Sequence, residues 1–152
     1  MNIEQLLNSF MSLVALGEVE VYNEFSLQHE LGIFLRAKLT GYKVQFERNT
    51  KFFGISGTVK HEIDIVIYNE LEKHAIELKY PLNGQYPEQM FSFVKDIKFM
   101  EELKAAGMDT SYAQFGHGIQ PTSADGSAFT TAYIKGKASK SEYFHKLFTS
   151  HC

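Results

Sequence analysis

The chain has one cysteine, Cys152. A disulfide within the chain is therefore excluded, which fits a reducing compartment. No apolar run approaches the roughly 20 residues of a membrane span. The first residues carry no basic segment ahead of their apolar ones, so no secretory leader is read there. A cytoplasmic protein is the expectation. Basic residues are missing from positions 1–35, which hold Glu4, Glu18, Glu20, Glu24 and Glu30 but no Lys or Arg. A polyanion is not expected to meet that part of the chain. There is no Gly-x-Ser-x-Gly, phosphate-binding loop, dinucleotide fingerprint or Cys-x-x-Cys, and the six histidines show no metal-ligand spacing. The enzyme classes built on those motifs are unsupported.

What is present suits a folded domain. The 152 residues are 44% hydrophobic and 22% charged, with net charge −3. That length reads as a single domain, 1–152, and is enough to bury roughly 70% of its unfolded surface. Positive charge gathers late, as Lys135, Lys137, Lys140 and Lys146 against Glu142.

Apolar spacing predicts a helix over 2–16, from Ile3, Leu6, Leu7, Phe10, Leu13 and Val14, ended by Gly17. A second helix is predicted over 24–39, with Asn23 or Ser26 as N-cap and Gly41 closing it. Residues 42–47 alternate, with Tyr42, Val44 and Phe46 on one face of a strand. Residues 49–60, with Gly54 and Gly57, read as an irregular connection. Strands follow at 62–68 and 73–79, joined by Asn69-Glu70-Leu71-Glu72 as a hairpin. A long helix over 88–106 has Met90, Phe93, Val94, Ile97, Met100 and Leu103 on its expected core face, with Gly107 as its cap. Short strands at 111–115 and 129–134 flank a loop at 116–127, and 139–148 reads as a C-terminal helix. Helices on both sides of a short mixed sheet would cover such a pattern.

Charge interrupts the apolar pair of strands. Asp64 lies within Ile63-Asp64-Ile65-Val66-Ile67, and Glu77 and Lys79 flank Leu78. Side chains at i and i+2 share a strand face. Glu77 and Lys79 then point together, and Asp64 can join them across the hairpin, with Ile63, Ile65 and Ile67 on the opposite face. Two carboxylates about 4 Å apart repel by roughly 4 kcal/mol at an effective dielectric near 20. Lys79 offsets part of that. A divalent cation would offset more, and carboxylate oxygens with a backbone carbonyl suit Mg²⁺ or Mn²⁺. Such an ion polarises phosphate and acidifies water. The bland alternative is an exposed strand face with an Asp64–Lys79 ion pair.

Glu62-Ile63-Asp64-Ile65-Val66-Ile67 followed by Ala75-Ile76-Glu77-Leu78-Lys79-Tyr80 resembles the PD-(D/E)XK nuclease superfamily, with His61 and Glu62 where many members have Pro. The resemblance covers roughly residues 24–116. It implies a restriction-endonuclease-like core of class α/β (an α+β sandwich) in the order αβββαβ. The terminal helices at 2–16 and 139–148 would be additions to it. It implies metal-dependent cleavage of DNA, less often RNA. Asp64, Glu77 and the Leu78 carbonyl would hold the ion, and Lys79 would assist the water. The family often adds an acid from the first core helix. Glu30 is chosen, because Leu27, Ile33 and Phe34 flank it and it precedes Gly41 by eleven residues, a spacing similar to that of archaeal Holliday-junction resolvases in this superfamily. Glu24 is its rival, with a dipole role as the bland reading. Gln89 and Asp96 on the long helix are second-tier candidates. A homodimer that cuts two strands is expected from size and fold analogy. The competing function is a catalytically silent module of this fold that binds nucleic acid or a protein.

Overall fold

The computed structural model describes residues 1–80, 86–116 and 131–136. The first helix, α1, spans Ile3–Ala15, and the Asn2 side chain accepts from Gln5 N–H at 3.1 Å. Helix α2 spans Glu24–Lys38. Of the two candidates Asn23 is the N-cap, and Ser26 is its partner three residues into the helix. Asn23 Oδ1 accepts from Ser26 N–H at 2.7 Å, and Ser26 Oγ accepts from Asn23 N–H at 3.0 Å. This reciprocal box satisfies two amides that the first turn would otherwise leave open. The buried stripe of α2 is Leu27, Leu31 and Leu35, with Gly32 beside it. Gly32 lets the helix close on the sheet, since a Cβ there would lie 2.1 Å from the Phe46 ring.

Strand β1 is Lys43–Asn49, followed by a 3₁₀ turn at Thr50–Phe53. Gly54 ends that turn at φ +75°, a left-handed conformation that glycine takes without a Cβ clash. Strand β2 is Glu62–Tyr68 and β3 is Lys73–Lys79. The hairpin link forms as expected. Asn69 Oδ1 accepts from Leu71 N–H at 2.8 Å and Glu72 N–H at 2.9 Å. Helix α3 is Tyr86–Ala105, β4 is Asp109–Gly116 and β5 is Thr131–Gly136. The expected C-terminal helix, and the loop beyond Gly116, lie outside the described residues.

The sheet order is β1-β2-β3-β4-β5. All neighbours are antiparallel except β3 and β4, which run parallel. A parallel pair needs a long crossover, and α3 is that crossover. The fold is α+β, and the order α2, three strands, α3, strand is the αβββαβ order expected of a restriction-endonuclease-like core.

Two apolar clusters flank the sheet. One joins Ile3, Leu7, Phe10, Leu27, Leu31 and Leu35 to Val44, Ile65, Ile67, Ile76 and Leu78. The other joins Phe99, Met100, Leu103 and Met108 to Ile55, Ile63, Val66 and Ala75. Two departures from the expected apolar patterns bear on the site. Ile63 packs on the α3 side, away from Ile65 and Ile67. Val94 is exposed, and Asp96 is buried with Phe99 and Met100. The packed face of α3 thus includes a carboxylate. No described helix is long and apolar enough to cross a membrane.

Candidate active site

The pairing of β2 with β3 starts at Tyr68 opposite Lys73 and stops at Ile65 opposite Ile76. Asp64 and Glu77 come next, where the strands part. Their side chains take over from the backbone ladder. Asp64 Oδ2 accepts from Leu78 N–H at 2.8 Å, and Glu77 Oε1 accepts a longer bond from Asp64 N–H at 3.4 Å. The same parting releases Ile63 from alternation and lets it join the α3 cluster. Each strand thereby offers an acid at one gap in the sheet.

On the α2 side the gap opens into a cavity of about 290 Å³, lined by Glu24, Phe25, Gln28, Glu47, Asp64 and Leu78. Phe46 pairs with Ile65 and Arg48 with Ile63, which places Glu47 across from Asp64. Glu47 has φ +46°, the one non-glycine positive φ among the described residues. Strain of that kind in a non-glycine residue persists only where surrounding contacts hold it. Here Gln28 does so, donating from Nε2 to Glu47 Oε1 at 2.5 Å and to the Asp64 carbonyl at 2.9 Å. Glu24 Oε2 accepts from Tyr80 N–H at 3.1 Å. Burial pushes the Asp64 carboxyl up to about 6; Leu78 N–H and Lys60 oppose the rise, and the charges of Glu47 and Glu24 add to it.

On the α3 side, Glu77 is completely buried and Asp96 is 2% exposed. Lys60 Nζ bonds Glu77 Oε2 and lies 3.1 Å from Asp96 Oδ1. Lys79 Nζ lies 2.9 Å from Asp96 Oδ2, an ion pair without hydrogen-bond alignment. Burial, then the charge of Asp64, raises the Glu77 carboxyl against the pull of Lys60. Burial alone would lower Lys60, but Glu77, together with the charges of Asp64 and Asp96, raises the ammonium's pKa. For Glu77 the direction is upward, because a carboxylate with no water contact loses more solvation than one ammonium restores.

The structure brings Asp64, Glu77, Lys79 and Asp96 into one region, with Lys79 tied to it through Asp96. It does not bring Glu30. That side chain is 36% exposed and pairs with His29 at 3.3 Å. The expectation assumed that its apolar flanks marked the packed face, but Ile33 is 49% exposed and the stripe is Leu27-Leu31-Leu35. Gln28 faces the cavity, and a residue two positions on is turned about 200° around the helix. Glu24, one turn before Gln28, lines the cavity, and Glu30 does not. Gln89 belongs to α3, but its side chain lies outside the described residues. The Leu78 backbone borders the gap and its N–H serves Asp64.

Sequence reasoning missed Lys60, Glu47 and Gln28. Glu47 becomes visible only once the β1–β2 register is known. Lys60 lies in the irregular segment before β2, where no periodicity assigns a face. A second group lies at the other end of β3. Glu72, His74 and Asp109 place ligand atoms within 4.8 Å of one another, close enough to hold a divalent cation. His74 Nε2 is 2.8 Å from Glu72 Oε2, and its Nδ1 is 3.8 Å from Asp109 Oδ2. This histidine has metal-ligand neighbours that linear spacing did not show, because Asp109 faces it across β3 and β4.

No protein-family model and no curated protein matches the chain. Among solved structures, it is similar to Hjc, a Holliday junction resolvase from the archaeal hyperthermophile Archaeoglobus fulgidus. The two share 17% identity over 72% of each chain, with a TM-score of 0.33.

Proposed function

We propose that this chain is a divalent-metal-dependent nuclease of the PD-(D/E)XK kind, hydrolysing phosphodiester bonds of DNA. One observation carries the reading: Asp64 and Glu77 meet where β2 and β3 part, with two further acids on one side and two lysines on the other. Two buried carboxylates, Glu77 and Asp96, within such a group are costly to assemble for stability alone. The donors are hard oxygens, and burial, with smaller contributions from the charges of Glu47 and Glu24, holds Asp64 above its ordinary pKa. Those properties fit Mg²⁺ or Mn²⁺, held by Asp64, Glu77 and the Leu78 carbonyl, with Glu24 at its edge. When bound, the ion polarises a phosphate oxygen and lowers the pKa of a water.

The chain's own groups supply the rest. Gln28 fixes Glu47 and the Asp64 backbone, so the acids keep their spacing. Asp96 holds the Lys79 ammonium at the border of the site, where it can orient water and offset charge building on phosphorus. The water loses a proton to solvent as its oxygen bonds to phosphorus, the bond to the leaving oxygen breaks, and that oxygen takes up a proton from solvent. A homodimer would place one site on each of two strands.

The test is incubation of pure protein with plasmid, single-stranded DNA, branched DNA and RNA, in Mg²⁺, in Mn²⁺ and in EDTA. Cleavage should need the metal and should be lost in Asp64→Ala, Glu77→Ala and Lys79→Ala. Cleavage that survives those substitutions refutes the assignment. Metal-independent binding with no cleavage of any substrate would make the chain a binding module.

A further inference from the structure

Lys60 belongs to no part of the acid and lysine pattern, yet it is held as tightly as the pattern residues. Val59 N–H donates to Glu102 Oε2 on α3 at 2.8 Å. Thr58 Oγ1 donates to the Lys60 carbonyl at 2.5 Å, and Thr50 N–H donates to the His61 carbonyl at 2.8 Å. The chain is thus anchored on both sides of Lys60. Its ammonium lies 5.5 Å from the centroid of the Phe99 ring. The side chain is 23% exposed, so a path to water stays open. Its head is aimed at Glu77 Oε2 and Asp96 Oδ1.

The charges divide unevenly about the gap. Glu77 and Asp96 are matched by Lys60 and Lys79. Glu24, Glu47 and Asp64 make no ion pair among the described residues. The buried carboxylate that a metal would use therefore already carries an ammonium, while the acids facing the cavity carry none. An ammonium on Glu77 and a doubly charged ion on the same group repel each other.

We infer that Lys60 is the built-in counter-ion of Glu77 and competes with the divalent cation for it. The cation affinity of the site is then limited by Lys60 as well as set by the carboxylates around the gap. This rests on the nuclease reading, in which Glu77 holds metal. Lysine suits the role, because its compact ammonium on a flexible stem can leave one oxygen and be hydrated again. Asp96 is the group that draws Lys60 away from Glu77, so it acts in favour of metal entry.

The test is titration of the full chain with Mn²⁺, read by electron paramagnetic resonance at pH 8 without nucleic acid, in a parent carrying His74→Ala so that the group of Glu72, His74 and Asp109 does not contribute. Lys60→Met and Lys60→Gln should bind Mn²⁺ about tenfold more tightly than the parent, the scale of one unit charge beside a doubly charged ion even under water-like screening. Asp96→Asn should bind it more weakly. Urea unfolding of each variant identifies those that are folded, and either Lys60 variant suffices. General damage would weaken binding in all of them, whereas an ammonium that opposes the cation gives opposite signs. Equal or weaker binding in the folded Lys60 variants overturns the inference while leaving the nuclease reading intact. Failure of the parent to bind Mn²⁺ at all overturns both.

Discussion

Replacing Asp64 by Asn should make the protein more stable, and only at high pH. The carboxyl is raised from 3.8 to about 6 in the folded chain. A raised acid binds its proton more tightly when folded. Its contribution to stability is therefore fully present below about pH 4 and is lost as pH rises through about 6. A difference of roughly two units corresponds to about 3 kcal/mol of penalty on the ionised form. Asparagine keeps an oxygen for Leu78 N–H and removes the charge that Glu47 and Glu24 repel. Removing that charge also relieves Glu77, which Asp64 pushes upward. Urea unfolding in EDTA at pH 4, 6 and 8 measures the gap between Asp64→Asn and the parent. It should be near zero at pH 4 and reach up to about 3 kcal/mol in favour of the variant at pH 8. Saturating Mg²⁺ at pH 8 should then stabilise the parent and close the gap, since a ligand of the folded state alone adds stability by mass action. A variant no more stable than the parent at pH 8, or a gap of equal size at pH 4, would refute the electrostatic account of the site.

The two helix acids separate cleanly. Glu24→Ala should abolish or strongly reduce cleavage, and Glu30→Ala should leave it intact and change stability by less than about 0.5 kcal/mol, as followed by substrate cleavage and urea midpoints. Gly32→Ala should destabilise by about 1–3 kcal/mol, because the new methyl meets the Phe46 ring and the helix must move off the sheet; an unchanged thermal midpoint would show that α2 does not pack that closely. Asp96→Ala should cost about 3 kcal/mol, the low end for a broken buried pair because both lysines keep some access to water. The same variant should lose cleavage with its Lys79 ammonium misplaced, which kinetics at saturating metal would detect.

Local chemistry made much of the fold legible. The Asn23 and Ser26 box, the Asn69 turn and the β2–β3 hairpin depend on contacts within a few residues, and sequence records those contacts directly. Alternation placed Ile65, Ile67, Ile76 and Leu78 on one face because each belongs to a regular ladder. It failed at Ile63, where the ladder stops. Periodicity misplaced Val94 because the charged residue that actually faces inward, Asp96, is discounted by any hydrophobic pattern. Its burial depends on Lys60 and Lys79, which come from distant parts of the chain.

By itself the sequence determined that an acid on β2 and an acid and lysine on β3 would interrupt two apolar strands, and that a helix on each side would cover them. Strand period and turn chemistry are enough for that. Only the tertiary structure decided which acid of α2 joins the site. Glu24 and Glu30 differ by their angle around one helix, and that angle is set by how Leu27, Leu31 and Leu35 pack on the sheet. Only the tertiary structure placed Glu47 across from Asp64 and put Lys60 on Glu77, because strand register and an irregular segment's path are properties of the packed chain, with no local signature.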